Sequence, residues 1–218
     1  MLKKDLNNNI NIVISGTIGV GKTIVSKNLF KNLNKKRKIN EIYLIDEIKN
    51  KDPYLELYYK NRIEWSFLTQ MNFLLNRFKD SYLFTEKNGI KIFDRHFLDD
   101  YIFSSAEIIK ESIPNFLLES YFLINNELNN KINNLSKVDY LFLLKADFDV
   151  IYERIKKRNL NFEQEINIEY WRDIYNQYYN NKNIFKYLKE NCKNFNIINT
   201  NNKSVDKITK EIIKTMNL

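Results

Sequence analysis

The sequence is poor in the residues that build metal centres, disulfide scaffolds and tight turns. Its 218 residues include one cysteine, one histidine, four glycines and two prolines. Cys192 has no second cysteine for an internal disulfide and, without a Cys or His partner, makes no zinc site. The solitary His96 argues against a histidine-based catalytic relay. We therefore expect the chemistry to rest on other side chains.

Long hydrophobic runs are also missing. No stretch approaches the roughly 20 apolar residues of a membrane span, and residues 1–9 lack the apolar core of a signal peptide. We expect a cytoplasmic protein with no membrane partner. At 218 residues, of which 44% are hydrophobic, the chain is long enough for one substantial core and short for two, which predicts a single domain.

Positive charge is in excess, with a net charge of +8 at pH 7. Most Lys and Arg residues are scattered among Asn and Glu as solvated faces, and the basic cluster at residues 35–38 follows a predicted helix, whose negative end suits it. No coherent basic stripe is evident. We therefore expect no nucleic-acid partner.

Three of the four glycines lie in one short segment that fits the pattern G-x-x-x-x-G-K-[ST], namely Gly16-Thr17-Ile18-Gly19-Val20-Gly21-Lys22-Thr23. An apolar, β-branched strand is predicted before it at residues 10–15, and a helix after it at residues 22–33. Glycine backbones let amide groups approach phosphate oxygens, and the helix start adds the positive end of its dipole. In this motif Lys22 reaches the β and γ phosphates and the Thr23 hydroxyl ligates Mg²⁺. The segment predicts a site for a nucleoside triphosphate.

The remaining pattern alternates strands with helices. We predict further strands at residues 41–47, 90–93, 138–144 and 195–198, and further helices from Pro53, at 62–84, 98–110, 114–130, 147–157, 166–189 and 204–216. This order predicts an α/β fold with a five-stranded parallel sheet and helices on both faces. Ligands bind such sheets at the carboxyl ends of the strands, where the first three strands bring the glycine segment, Glu47 and Asp94-Arg95 together.

Several side chains suit phosphoryl transfer. Glu47 is placed to take a proton from an acceptor hydroxyl, although capping the next turn is an equally good interpretation. Arg95 would bring a fixed cation, and Arg154 and Arg158 are four residues apart on one helix face. Gln70 lies at the margin of an apolar stripe, where a buried amide needs a partner such as a nucleobase.

In order along the chain, five segments resemble the successive signatures of the deoxynucleoside kinases. They are Asp46-Glu47, the run from Pro53 to Lys60, Gln70, Phe93-Asp94-Arg95, and the run from Arg154 to Arg158. The resemblance covers nearly the whole chain and is greatest to small bacterial deoxyadenosine kinases. It implies a P-loop kinase fold, one kinase domain over residues 1–218 with a lid at about 154–166, a homodimer, and ATP-dependent phosphorylation of a deoxynucleoside 5′-hydroxyl in nucleotide salvage.

The resemblance also implies residue roles. Glu47 would be the base that activates the 5′-hydroxyl, Arg95 would steady that base and the reacting groups, and Asp94 would lie near the metal. Tyr59 and Glu163 would hold the sugar 3′-hydroxyl, and Arg154 and Arg158 would close on the phosphates. Gln70 would face the edge of the base and Phe103 would stack on it. Asp100 with Arg95 would complete recognition of the base.

Asp100 bears on substrate choice. A carboxylate accepts hydrogen bonds from exocyclic amino groups, or donates if protonated, but it crowds a thymine methyl group. Family members with an acid at this position resemble deoxyadenosine, deoxyguanosine or deoxycytidine kinases, and the resemblance therefore implies deoxyadenosine first, then deoxyguanosine and deoxycytidine. The alternative is a helix N-cap, a role for which Asp99 is equally suited. Leu160 departs from the family, which commonly has an Arg there, and Glu165 competes with Glu163 for its role.

Two other functions stay open. A thymidylate or other nucleoside monophosphate kinase shares the loop and sheet, but it needs an acceptor-side cation where Asp46-Glu47 offers two anions. A nucleotide-dependent switch or DNA-associated ATPase would need a water-positioning residue or a coherent basic stripe, and neither is evident.

Overall fold

The structure, a computed structural model, describes residues 9–36, 41–46, 52–158 and 160–217. Glu47 and Ile48, which the sequence places after the second strand, lie outside the described residues. No helix in the described ranges is long and apolar enough to cross a membrane.

Five parallel strands form one sheet in the order β2-β3-β1-β4-β5. Their bounds are β1 Ile10–Ser15, β2 Ile42–Ile45, β3 Ile90–Asp94, β4 Val138–Lys145 and β5 Cys192–Asn199. The central strand β1 pairs with β3 on one side, where Ile14 lies opposite Asp94, and with β4 on the other, where Ser15 lies opposite Leu143. The predicted parallel five-stranded sheet is confirmed.

The core lies in the middle of this sheet because its central strands are runs of large apolar residues. The side chains of residues 12–14 on β1 and 141–144 on β4 are fully buried. Continuous apolar runs of this kind are typical of parallel strands that are covered on both faces. The carboxyl ends of the strands therefore emerge from a rigid core at one edge.

Helices surround the sheet. Their bounds are α1 Lys22–Lys36, α2 Leu55–Lys60, α3 Arg62–Leu83, α4 Leu98–Ser104, α5 Glu107–Lys110, α6 Asn115–Leu135, α7 Phe148–Arg158, α8 Asn161–Gln164, α9 Ile168–Tyr179, α10 Lys182–Glu190 and α11 Val205–Thr215. Contacts between α1 and α11, between α3 and α6, and between α4 and α9 hold the helical layer together.

The helix predicted at residues 98–110 is in fact broken. Ala106 has extended backbone angles, φ −66° and ψ 139°, and separates α4 from α5. The Ser105 hydroxyl donates to the carbonyl of Tyr101, 2.6 Å away, and the Asp173 carboxylate accepts from the Ile108 amide at 2.9 Å. The Asp173 carboxylate thus supplies an acceptor for an amide near the start of α5, where the break removes helical partners.

The helix predicted at residues 166–189 is broken in the same way. Asn181 has φ −89° and ψ 110°, and its side chain accepts a hydrogen bond from the Asn183 amide at 2.9 Å. It is therefore the N-cap of α10 rather than an interior residue. The strand β5 is longer than predicted by several residues, because it pairs with β4 from Cys192 onward.

Candidate active site

A cavity of about 820 Å³ opens where the carboxyl ends of the strands meet the surrounding helices. Its wall at one end is the glycine segment and the start of α1, and at the other end side chains from α2, α3 and α4. Residues of α7, α8 and the segment between β5 and α11 complete it. The space is large enough for an elongated ligand and brings most of the predicted site residues together.

Glycine is required in the phosphate-binding loop for two different reasons. Gly19 has φ +82°, and a Cβ atom there would lie 2.7 Å from the Ile155 Cγ1 atom. Gly21 has φ +105°, but a Cβ atom there would meet no heavy atom within 4 Å. Gly19 thus permits both the backbone turn and the close approach of α7, whereas Gly21 permits only the turn.

A tyrosine of α9 supports the loop through hydrogen bonds. The Thr17 amide donates to the Tyr179 hydroxyl at 3.1 Å, and that hydroxyl donates to the Leu144 carbonyl at 2.7 Å. The Lys22 ammonium donates to the Thr17 carbonyl at 2.9 Å, so it lies across the loop. Gly16 and Thr17 belong to this support, while the stretch from Gly19 to Thr23, with Val20 in it, lines the cavity.

The paired arginines of α7 both face the cavity, as predicted. The Arg154 guanidinium donates to the Val20 carbonyl at 3.2 Å and so connects α7 to the phosphate-binding loop. The Arg158 Nε donates to the Glu163 Oε2 at 3.1 Å, and a second contact makes the ion pair bidentate. Leu160 lines the same wall, and it is Glu163 rather than the exposed Glu165 that lies there.

The opposite end of the cavity carries Gln70, Asp100 and Phe103 together with Arg77. Asp100, which the resemblance assigns to base recognition together with Arg95, forms an ion pair with Arg77. Both side chains of that pair are buried. Arg95 is close enough for its positive charge to act on Asp100 as well.

Burial dominates the protonation of Asp100. It raises the pKa of this carboxyl group to about 7, with the Arg77 charge opposing the rise and the Asp99 charge adding to it. The neighbouring His96 is also buried, which lowers its pKa to about 3 and leaves the ring uncharged. The His96 ring packs against Phe93 and Phe97.

Sequence reasoning missed Arg77. It lies seven residues after Gln70 on α3, so the two side chains point in the same direction two turns apart. An arginine on the buried face of a helix needs an acidic partner, and that requirement was the available signal. The Ser104 hydroxyl, which donates to the Gln70 Oε1 at 3.3 Å, was also missed.

Arg95 adopts an unusual backbone conformation directly after β3. Its φ is +74°, in the left-handed region that non-glycine residues rarely enter, and its amide donates to the Ile14 carbonyl at 3.1 Å. The turn places the side chain against the cavity. Asp94, the preceding residue, is buried at the end of the strand.

An aromatic cluster forms the wall between the two ends. Tyr59 lines the cavity and packs against Tyr58, Tyr170 and Trp171. The hydroxyls of Tyr58 and Tyr170 are hydrogen bonded at 2.9 Å. Burial raises the pKa of Tyr59, with the charge of Glu163 adding to the effect, so its hydroxyl stays protonated and can donate.

Comparison with known proteins decides the family. Residues 12–217 match the family model described as deoxynucleoside kinase. The chain belongs to the deoxynucleoside kinase family. Its cavity therefore belongs to an enzyme that transfers phosphate from ATP to a deoxynucleoside, and the monophosphate kinase and ATPase alternatives are not favoured.

Characterised relatives of this kinase act on purine and cytosine deoxynucleosides. The chain is 28% identical over 205 residues to a deoxyadenosine/deoxycytidine kinase of Bacillus subtilis (strain 168), covering 92% of this chain and 90% of that one. It is 30% identical over 171 residues to a deoxyguanosine kinase of the same organism, covering 77% and 75% of the two chains.

Solved structures agree with this kinase along its whole length. A deoxyadenosine kinase from M. mycoides with bound dATP superposes with a TM-score of 0.79 at 25% identity, covering 96% of this chain and 100% of the other. A structure of the M. mycoides enzyme with bound dCTP gives a TM-score of 0.78, also at 25% identity, covering 95% and 99%.

Proposed function

We propose that this kinase transfers the terminal phosphoryl group of ATP to the 5′-hydroxyl of deoxyadenosine in preference to deoxyguanosine and deoxycytidine. The observation that carries this proposal is the single cavity that joins the phosphate-binding loop to Gln70 and Asp100. A nucleoside whose base lies beside Gln70 and Asp100 would direct its sugar toward the phosphate-binding loop.

Recognition of the base is assigned to the buried polar groups of α3 and α4. The Asp100 Oδ1 accepts from Arg77, whereas Oδ2 is buried and accepts no hydrogen bond from the described residues. A buried carboxylate oxygen needs a donor, and the exocyclic amino group of adenine or cytosine supplies one. Gln70 would bond the same edge of the base, and Phe103 would stack on its face.

The sugar would lie along the aromatic wall. Tyr59 and Glu163 both line this part of the cavity, with the carboxylate of Glu163 fixed by Arg158. A protonated phenol and an ionised carboxylate together offer a donor and an acceptor, which suits the 3′-hydroxyl of a deoxyribose. The Arg158–Glu163 contact would make closure of α7 and α8 respond to the presence of the sugar.

Catalysis is assigned to Glu47, Arg95 and Lys22. Glu47 would take the proton from the 5′-hydroxyl, Arg95 would hold that carboxylate and the reacting oxygens, and Lys22 would bind the transferred phosphate. Arg154 and Arg158 would add positive charge from the lid. Support comes from Arg95, Lys22 and both lid arginines lining one cavity.

Mg²⁺ is the expected metal, held by Thr23 and near Asp94. The Thr23 residue lines the cavity at the start of α1, and Asp94 lies at the end of the adjacent strand. Hydroxyl and carboxylate oxygens are ligands that Mg²⁺ accepts, and an ion bound mainly through ATP phosphates needs few protein ligands. When bound, the ion neutralises charge on the phosphates.

The test is a panel of natural deoxynucleosides and ribonucleosides, with deoxyadenosine monophosphate included, assayed with ATP and Mg²⁺. We expect the highest kcat/KM for deoxyadenosine and no activity above background with deoxyadenosine monophosphate. Thymidine as the best substrate would overturn the assignment of Asp100. Deoxyadenosine monophosphate as the best acceptor would overturn the nucleoside kinase assignment itself.

The general base is tested by Glu47→Gln, with Asp46→Asn as the matched control at the neighbouring carboxylate. Loss of general-base catalysis typically lowers kcat about 10²–10⁴-fold. The Asp46 variant should stay near wild type because this exposed side chain is not assigned to the reaction. Wild-type kcat in Glu47→Gln would remove Glu47 from the mechanism.

We further propose that the whole chain acts as one kinase domain in the cytoplasm, with a lid over about residues 154–166.

We also propose that the protein forms a homodimer through α3 and α6. Support for the dimer comes from exposed apolar side chains spaced seven residues apart, Leu68 and Leu75 on α3 and Phe116 and Leu123 on α6. These helices pack together, and apolar side chains repeated every two turns form a stripe suited to a second copy of the chain.

Sedimentation velocity tests the dimer. Wild type should sediment as a dimer and Leu123→Glu as a monomer, because a buried, unpaired carboxylate at the interface is unfavourable. Ile24→Glu is a control at an exposed apolar side chain on another helix, α1. A monomeric wild-type protein would contradict the proposal.

A further inference from the structure

Asp99 is a fully buried carboxylate outside the roles assigned so far. The sequence treats Asp99 and Asp100 as equivalent candidates for a helix cap. The structure separates them, because Asp100 lines the cavity and Asp99, with 0% of its surface exposed, does not. A buried acidic side chain of this kind must be satisfied by donors, and those donors show what it holds.

Three segments of the chain donate to Asp99. The Ser15 hydroxyl donates to Oδ1 at 2.7 Å and the Tyr178 hydroxyl to the same oxygen at 3.0 Å. The His96 main-chain amide donates to Oδ2 at 3.1 Å. One oxygen is therefore anchored to β1 and α9, and the other is bonded to the turn after β3.

The turn that Asp99 holds is the one that carries Arg95. Arg95 immediately precedes His96 and has φ +74°, a conformation that is unfavourable for a residue with a side chain. Such a conformation persists only where surrounding contacts fix it. Its own amide is bonded to Ile14, and the next amide along the chain is bonded to Asp99.

An ionised carboxylate is the side chain that suits this position. It only accepts hydrogen bonds, so Ser15, Tyr178 and His96 can all donate to it at once. An amide of the same shape has one donor group in place of an acceptor. Asparagine at this position would leave one of the contacts repulsive or force Ser15 and Tyr178 to rotate their hydroxyls.

We propose that Asp99 is a positioning residue, which is anchored by Ser15 and Tyr178 and fixes the direction of the Arg95 side chain through the main-chain amide of His96. The inference rests on the proposed role of Arg95 in the transfer reaction. Asp99 does not touch substrate. It holds the left-handed turn that aims a guanidinium at the reacting groups, where small displacements are costly to the rate.

The first test is Asp99→Asn, assayed with the deoxynucleoside that wild type uses best, so that an error in the proposed base preference has no effect. We expect kcat to fall at least tenfold, while the KM values for ATP and for the nucleoside change less than threefold. Tyr178→Phe removes one of two anchors and should lower kcat by a smaller factor. Tyr175→Phe is the matched control, because its hydroxyl on the same helix donates to the Ala146 carbonyl and not to Asp99.

A double-mutant cycle with Arg95→Gly separates positioning from general support of the fold, since glycine keeps the left-handed turn and removes the guanidinium. If Asp99 acts through Arg95, Asp99→Asn lowers kcat less than threefold in the Arg95→Gly background. An equal tenfold loss in both backgrounds would overturn the inference, as would wild-type kcat in folded Asp99→Asn. If Asp99→Asn does not fold, the same cycle is run with Tyr178→Phe, whose smaller loss of kcat should disappear in the Arg95→Gly background. An equal loss in both backgrounds would overturn the inference.

Failure of the proposed function gives a different pattern. If Glu47→Gln retains wild-type kcat, the assignment of Glu47 as the general base is wrong. The double-mutant cycle still measures the coupling between Asp99 and Arg95 in that case. If Arg95→Gly is as active as wild type, Arg95 has no role for Asp99 to serve, and the inference is wrong.

Discussion

At the scale of single residues, Asp100 illustrates how burial changes chemistry. Its neighbour Asp99 is surrounded by donors, whereas Asp100 has one ion-pair partner and faces the cavity. Burial raises the pKa of Asp100 to about 7, far above the ordinary value of 3.8, with the Arg77 charge opposing the rise and the Asp99 charge adding to it. The charge of this side chain thus changes within the range of pH in which an enzyme is commonly assayed.

We predict that kcat/KM for deoxyadenosine increases between pH 6 and pH 8 with an apparent pKa of about 7. The sign follows from the carboxyl group, which is protonated below this pH and is ionised above it. Only the ionised form presents all of its oxygen lone pairs to an exocyclic amino group. The measurement is a pH profile of initial rates at low nucleoside concentration.

Asp100→Asn is the control for this profile, because it keeps the shape of the side chain without the titration. Its kcat/KM should be lower than that of wild type at pH 8 and should not rise between pH 6 and pH 8. A rise of the same size in the variant would assign the titration to another group.

The roles of single residues were harder to predict than their proximity. The sequence placed Gln70, Arg95, Asp100 and Glu163 in one site, and all four line one cavity. It could not show that Asp100 pairs with Arg77, because the partner lies 23 residues away on another helix. It also could not separate Asp99 from Asp100, since adjacent helix residues point in different directions and only the packing of the helix decides which of them faces the cavity.

At the scale of elements, the phosphate-binding loop offers a comparison within one segment. Gly19→Ala places a methyl group against Ile155 and forces a positive φ, while Gly21→Ala forces only the positive φ. We expect Gly21→Ala to lower the free energy of unfolding by about 1–2 kcal/mol, the penalty of a left-handed residue. Gly19→Ala should lower it by about 1–3 kcal/mol more, the penalty of overpacking.

Urea denaturation of both variants measures this difference, and the KM for ATP measures its effect on the site. The loop in Gly19→Ala must move away from α7, so its KM should rise more than that of Gly21→Ala. Equal unfolding free energies for the two variants would show that the contact between Gly19 and α7 is easily relieved.

The central strands β1 and β4 were predicted more accurately than the helix ends. The bounds of β1 agree with the prediction at both ends, and β4 extends it by one residue, because runs of buried β-branched and large apolar residues leave few alternatives. Breaks at Ala106 and Asn181 were missed because neither is a glycine or a proline. The extended backbone at those positions is stabilised by distant or side-chain partners, such as Asp173 for α5, which local patterns do not reveal.

At the scale of the whole molecule, the cavity joins two half-sites built from different parts of the chain. The phosphate-binding loop and α7 line one end, which we propose holds the phosphate donor, and α2, α3 and α4 line the other end, which we propose holds the acceptor. A ligand that links adenosine to deoxyadenosine through a chain of phosphates would occupy both. Since linked groups act at high effective concentration, we expect it to bind about 10²–10⁴ times more tightly than ATP.

Titration calorimetry checks this expectation with an adenosine polyphosphate of equal charge as the control. The control lacks the second nucleoside, so it should bind much like ATP. Equal affinity for the linked ligand and the control would mean that the two halves of the cavity cannot be filled at once.

The position of β1 at the centre of the sheet also has a consequence for biosynthesis. β1 precedes β3 and β4 along the chain, yet these two strands are its neighbours in the sheet. Ile12 therefore cannot pair with Tyr140 until β4 has been synthesised. A nascent chain that has emerged only as far as α6 therefore has the nucleotide-binding segment but only one of the two strands that flank β1, since β4 follows α6. Pairings between distant segments form slowly, so ATP binding should arise late during translation, after β4 has left the ribosome.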